Sequence, residues 1–139
     1  LFGYISERLR SRKKALLLAV GLMAMCMFTY FLNTQTSPGV FYAVIGVMGI
    51  SMGGLWSIFM VSASEQFGTN LRATVTTTAP NFVRGTTVLI SICVSTLVPS
   101  IGLLSAGFYV GIVCVMVSLV AILYSTDTYG KDLDYHELS

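Results

Sequence analysis

From Ala15 to Ser64 the chain reads ALLLAVGLMAMCMFTYFLNTQTSPGVFYAVIGVMGISMGGLWSIFMVSAS, 50 residues without one charged side chain. A second such run, Gly85 to Thr126, holds 42. A water-soluble fold needs a polar outer face every few residues, and neither run supplies one. Only 10% of the 139 residues are charged, whereas soluble domains average roughly 25%. Six charges crowd into Glu7 to Lys14 and five into Asp127 to Glu137, and just Glu65, Arg72 and Arg84 lie between. A spanning helix needs about 20 apolar residues to cross roughly 30 Å of hydrocarbon, so each run holds two crossings. The expected fold class is all-α: a polytopic membrane protein with four transmembrane helices and the lipid bilayer as its first partner.

The runs are too long and too many for a secretory signal. A net charge of +2 is too small and too localised for nucleic-acid binding. Cys26, Cys93 and Cys114 fall inside apolar runs without a CxxC pair, which reads as unpaired thiols acting as small buried hydrophobes. No Ser/His/Asp set and no metal-ligand cluster occurs, so neither an enzyme nor a cofactor is expected.

The turn formers Asn33-Thr-Gln-Thr-Ser-Pro-Gly39 divide the first run into crossings over about 15–32 and 40–63. The last crossing is expected over about 103–125, after a tight turn around Val98-Pro-Ser-Ile-Gly102. Gly85 to Val98 alone is too short to span, so the third crossing must start earlier, over about 73–98, and carry Arg84 into the membrane. Segments 1–14, 64–72 and the tail 126–139 then share one side. That side holds Arg8, Arg10, Arg12, Lys13, Lys14, Arg72 and Lys131, while the opposite loops hold no basic residue. The bias makes both ends of the segment cytoplasmic, in a plasma or bacterial inner membrane.

Within the third crossing Thr77, Asn81, Arg84, Thr87, Ser91 and Ser95 are spaced 4, 3, 3, 4 and 4 apart, which puts all six on one helix face. Lipid cannot satisfy such a stripe, so it is expected to face a water-filled path or other protein. An arginine in the membrane is costly and marks function or pairing. With no carboxylate inside the crossings, Arg84 is open to three readings: a structural or gating pair, anion contact in a substrate path, or snorkelling to the interface. Trp56, nine residues before Glu65, is expected deep in the membrane, as cavity lining or as core.

Small residues also line two helices: Ala43, Gly46, Gly49, Gly53 and Gly54, and Gly107, Gly111, Cys114, Ser118 and Ala121. They suit close helix packing or sliding during a transport cycle. Glu65 ends the second crossing, where the helix dipole disfavours an anion. It is therefore either a solvated loop charge or one arm of an ion-pair clamp with Arg72 or the basic cluster at 8–14. His136 reads as solvated.

These residues also carry a resemblance. Gly3-Tyr-Ile-Ser-Glu7-Arg8-Leu-Arg-Ser-Arg12-Lys13 resembles the signature G-x-x-x-D-R-x-G-R-R of the major facilitator superfamily, with Glu for Asp and one extra residue before the basic pair. Glu65-Gln-Phe-Gly-Thr69-Asn-Leu-Arg72 is similar to the E-x-F-P-T-x-x-R motif of its sugar and organic-ion branches, with Gly68 for proline. Asp127-Thr-Tyr-Gly130-Lys131-Asp-Leu133 resembles the P-E-T-K-G-x-x-L ending of sugar porters. Arg84 follows Arg72 by twelve residues, an offset at which organic-anion members carry arginine.

The resemblance implies the last four helices of a twelve-helix transporter, forming part of a six-helix C-terminal bundle, and alternating access about a central site. It implies cytoplasmic gate ion pairs at Arg8, Arg12, Glu65, Arg72 and Asp127. It also implies a substrate cavity lined by Arg84, Asn81, Thr77, Thr87, Ser91, Ser95 and Trp56. The remaining partners are a small-molecule substrate, a sugar or an organic anion, and an N-terminal bundle of the same polypeptide. A start at Leu1 in a family loop suggests a fragment, from which no uptake is expected alone; any proton-coupling carboxylate would lie in the absent half. The competing readings are a complete small four-helix exporter, which lacks its membrane-embedded glutamate here, and a non-transporting scaffold, which has no use for the polar stripe.

Overall fold

The computed structural model describes residues 2–32 and 37–130; Lys131 and His136 lie outside them. Five helices follow in order: α1 (Phe2–Arg8), α2 (Arg12–Leu32), α3 (Pro38–Glu65), α4 (Thr69–Ile101) and α5 (Leu103–Tyr124). The last four are long and apolar enough to cross a membrane. They form a ring in chain order, α2 against α3, α3 against α4, α4 against α5, and α5 back against α2. Short connections make neighbours antiparallel, so the ends of α2–α5 nearest Arg12, Glu65, Thr69 and Tyr124 gather at one charged end.

The helix ends differ from the sequence expectation, each for a local reason. The stretch 1–14 is not all loop. Helix α1 closes on Ser11 N–H to Ser6 C=O at 3.3 Å and Arg10 N–H to Glu7 C=O at 3.1 Å. This is the Schellman closure, which sets the penultimate residue left-handed, and Arg10 has φ 47°. Helix α2 starts at Arg12 rather than Ala15, because Ser11 Oγ accepts the Lys14 N–H at 3.1 Å and caps the first turn.

Helix α4 runs 33 residues, about 50 Å, which exceeds the expected 73–98. The loop expected at 64–72 shrinks to Gln66–Gly68. Pro80 and Pro99 lie inside α4, each leaving the carbonyl four residues back without its helix donor. The turn contracts to Gly102 at φ 80°, whose N–H bonds to Val98 C=O.

The described core sits where α1, α2 and α3 meet. Phe2, Ala15, Ala19 and Ile58 form a buried cluster with Leu16, Leu22 and Leu55 packed against it. Gly54 admits the Phe2 ring, since a Cβ there would overlap it. The hydroxyl of Ser51 donates to Ala19 C=O at 2.7 Å and ties α3 to α2. On α5, Gly107 and Gly111 face Phe31 and Met27 of α2, whereas Gly46, Gly49 and Gly53 of α3 face open space. The stripe on α5 is thus a packing seam, and on α3 only Gly54 is closely approached. Cys26 is buried, but Cys93 is exposed and Cys114 half-buried; the latter two sit in a groove of about 750 Å³ between α4 and α5.

Candidate functional site

The charged end is knotted by one guanidinium. Arg12, first residue of α2, meets Glu65, last residue of α3, through Nη2 to Oε1 at 2.9 Å and Nε to Oε1 and Oε2 at 3.2 and 3.3 Å. Its Nη1 donates to Ser6 Oγ at 2.9 Å, reaching α1. The Thr128 hydroxyl, 1% exposed, donates to Glu65 Oε2 at 2.7 Å. The ring of Tyr129 lies 5.3 Å from the Arg12 guanidinium carbon, a cation–π distance. Four segments therefore converge on this ion pair, whose side chains are 18% and 10% exposed.

Asp127 completes the knot from the other side. One carboxylate oxygen accepts the Arg12 N–H at 2.9 Å, and the other accepts the Ser11 hydroxyl. The acid thus lies on the N-terminus of α2, where the dipole favours it. Burial alone would raise its pKa. The hydrogen bonds from Ser11 Oγ and from the N–H groups of Tyr129, Arg12 and Lys13 outweigh burial and hold it below the ordinary carboxylate value. Residues Ser125 to Gly130 so form a strap across the ends of α2 and α3.

The other residues expected at a gate go elsewhere. Arg8 is exposed and donates to Tyr4 Oη at 3.0 Å within α1. The Arg72 guanidinium, in the first turn of α4, donates to Ser64 C=O at 3.0 Å and Phe67 C=O at 3.5 Å. It caps the C-terminus of α3, a favourable place for a cation. Lys13 does the same for α5, with Nζ on Leu123 C=O at 2.6 Å and Ser125 C=O at 3.2 Å.

The polar stripe lies along α4, a helix without a buried residue. Thr77, Asn81, Arg84, Thr87, Ser91 and Ser95 are all exposed. Arg84 stands 15 residues after Thr69 and 17 before Ile101, at mid-helix. Three stripe members bond back to their own helix: Thr77 Oγ1 to Ala73 C=O at 3.0 Å, Asn81 Nδ2 to Thr77 C=O at 3.2 Å, and Ser95 Oγ to Ile92 C=O at 2.9 Å. Such bonds satisfy a hydroxyl without solvent, so they carry less of the demand for water than their number suggests. The α4–α5 groove is lined instead by Thr86, Leu89, Ile90, Cys93 and Leu97 on the α4 side. Trp56 is 37% exposed on α3, with Phe59 as its aromatic neighbour at 5.9 Å. Among the described residues no cluster could hold a metal ion.

Sequence reasoning picked out Arg12, Glu65 and Asp127 but not Ser6, Ser11, Thr128 or Tyr129. Ser11 was legible in principle, as a serine directly before a helical run. The others are polar residues in a polar segment, with nothing local to distinguish them.

The family model for sugar (and other) transporters matches residues 2–137, nearly the whole chain. The chain belongs to this transporter family, within the major facilitator superfamily. No curated protein and no solved structure matches it. Membership makes it an integral membrane protein of a non-enzymatic, solute-transporting class, which fits the four apolar helices.

Proposed function

We propose that these helices form the last part of an alternating-access transporter for a small polar solute, a sugar or an organic anion, with the charged end cytoplasmic. The knot of Arg12, Glu65, Asp127 and Thr128 is a lock of the cytoplasm-closed state. The observation that carries this reading is the convergence of α1, α2, the end of α3 and the strap on one ion pair. Any rocking that separates these elements must break it.

Arg84 is the solute-facing cation in this reading. Exposed polar groups along a membrane helix must be met by water or by protein, because lipid leaves them unsatisfied. Helix α4, with no buried residue and an exposed guanidinium at its middle, calls for both: further helices around it and a wetted side. Those helices would belong to the rest of a larger bundle. The sign of Arg84 favours an anionic group on the solute. The test is uptake of labelled sugars and organic anions by cells expressing the transporter with Arg84→Ala and Arg84→Lys. Anion uptake should fall at least tenfold in Arg84→Ala, chiefly through KM, and be partly restored by lysine. Unchanged anion affinity in both variants would remove Arg84 from the solute path.

A further inference from the structure

Ser11 sits between α1 and α2 in the run Arg8-Leu9-Arg10-Ser11-Arg12-Lys13-Lys14. Its side chain is where the strap is fastened, its hydroxyl donating to Asp127 while accepting the Lys14 N–H. Arg8 and Arg10 are exposed, and neither takes part in the Arg12–Glu65 knot. A serine with arginine at −3 and −1 and cations at +1 and +2 matches the charge pattern by which Arg-directed protein kinases select substrates. At 6% exposure, however, no kinase can reach it with the strap in place.

We propose that Ser11 is a phosphorylation site open to a basic-directed protein kinase only after the strap has left α2, and that the phosphate then keeps the strap away. This rests on the reading of the strap as part of the cytoplasmic lock. The reaction needs a nucleoside triphosphate. Ser11 Oγ attacks the γ-phosphorus and an O–P bond forms. The bond to the β,γ-bridging oxygen breaks, the nucleoside diphosphate leaves with the electron pair, and the hydroxyl proton passes to the kinase base.

The consequence follows from donor inventory and charge. The hydroxyl now gives its proton to Asp127, and a phosphoserine has none to give on that oxygen. It brings instead about −1.5 to −2 charges at neutral pH. Two anions cannot share the N-terminus of α2, and the phosphate is the stronger contender. It carries more acceptor oxygens, and Arg12, Lys13 and Lys14 in the first turn all favour it. Lifting the strap uncovers Ser11, while α1 stays seated by Phe2 in the core and by Ser6 on Arg12. The exposed Arg8 and Arg10 then flank an open Ser11, and Arg8 to Lys14 enter a kinase groove as the joint between α1 and α2 unwinds and Arg12 leaves Glu65.

The experiment compares the intact transporter in nanodiscs, as wild type, Asp127→Ala and Thr128→Val, treated with an Arg-directed serine kinase and ATP. Occupancy at Ser11 is read by mass spectrometry. Thr128→Val loosens the strap without touching Ser11, and guards against a folding defect in Asp127→Ala. In parallel, Thr128→Cys, which leaves the Ser11–Asp127 fastening in place, is labelled by a maleimide at pH 7 with and without Asp127→Ala. Phosphate incorporation and labelling should both rise about tenfold when the strap is weakened. If labelling rises but Ser11 takes up no phosphate in any form, the modification proposal falls and the lock stands. If labelling does not respond to Asp127→Ala, the lock reading itself fails. Equal phosphorylation of wild type and both variants overturns the state dependence.

Discussion

The Arg12–Glu65 pair can be weighed by removing its two members singly and together. Three N···O contacts between 2.9 and 3.3 Å hold charges whose side chains are 18% and 10% exposed. At an effective dielectric near 20 and roughly 4 Å between charges, the gross attraction is about 4 kcal/mol. Desolvation and side-chain ordering return part of this, leaving a coupling of about 2 kcal/mol, between the exposed-pair and fully buried limits. Glu65→Ala strands a guanidinium that retains Ser6 and the Tyr129 ring. Arg12→Ala strands a carboxylate at the unfavourable end of α3 with Thr128 for company. Each single change should cost about 3 kcal/mol and the double about 4, since the second removal no longer orphans a charge. Unfolding in mixed detergent–SDS micelles reads the cycle directly. A coupling below about 0.5 kcal/mol, the value of an exposed pair, would refute the claim that this pair locks anything.

Three further outcomes are expected. Arg10→Gly should stabilise the charged end by about 1 kcal/mol, because a residue with a Cβ is held left-handed there; the same micelle assay measures it, and a loss would refute the Schellman closure. Gly54→Ala should cost about 1–3 kcal/mol by driving the Phe2 ring off α3, and adding Phe2→Ala should then cost little more; full additivity would show the ring was not there. The depressed Asp127 pKa places a stabilising term above the unfolded value of about 3.9, lost as pH falls through the lower folded value. Unfolding stability in the micelle assay should therefore hold from pH 7 to about 4 and fall below it, and Asp127→Asn should lessen that fall.

The membrane class and the number of spans were plain in the sequence because the hydrophobic requirement is local and additive along each run. Helix ends were less plain. Ser11 extends α2 by capping it, through a hydrogen bond that propensity does not weigh, and α4 runs two residues past Pro99. The stripe from Thr77 to Ser95 follows from spacing alone, but its need for water does not: Thr77, Asn81 and Ser95 each find a carbonyl one turn back. The partner of Glu65 was open between Arg72 and the 8–14 cluster. The structure pairs it with Arg12, while Arg72 reaches the carbonyls of Ser64 and Phe67. Two arginines near one acid are indistinguishable by sign and separation in sequence, and only the ring order of the helices separates them.

That ring order also explains why cations stand where helix physics would not put them. Arg12, Lys13 and Lys14 open α2 and Arg72 opens α4, at the positive ends of their own dipoles. In an antiparallel ring each such end lies beside the negative end of a neighbour, and there the cations reach. Arg12 goes to Glu65 at the end of α3, Arg72 to the last carbonyls of α3, and Lys13 to those of α5. Arg12, Lys13 and Arg72 are therefore misplaced for their own helices and well placed for the next. Asp127 supplies the anion that α2 lacks at its start. The stabilisation belongs to the joints between helices rather than to any helix, so it vanishes when helices separate and returns when they close. On the proposed alternating-access reading, terms of that kind, confined to one end and dependent on geometry, are what a change between two packings requires.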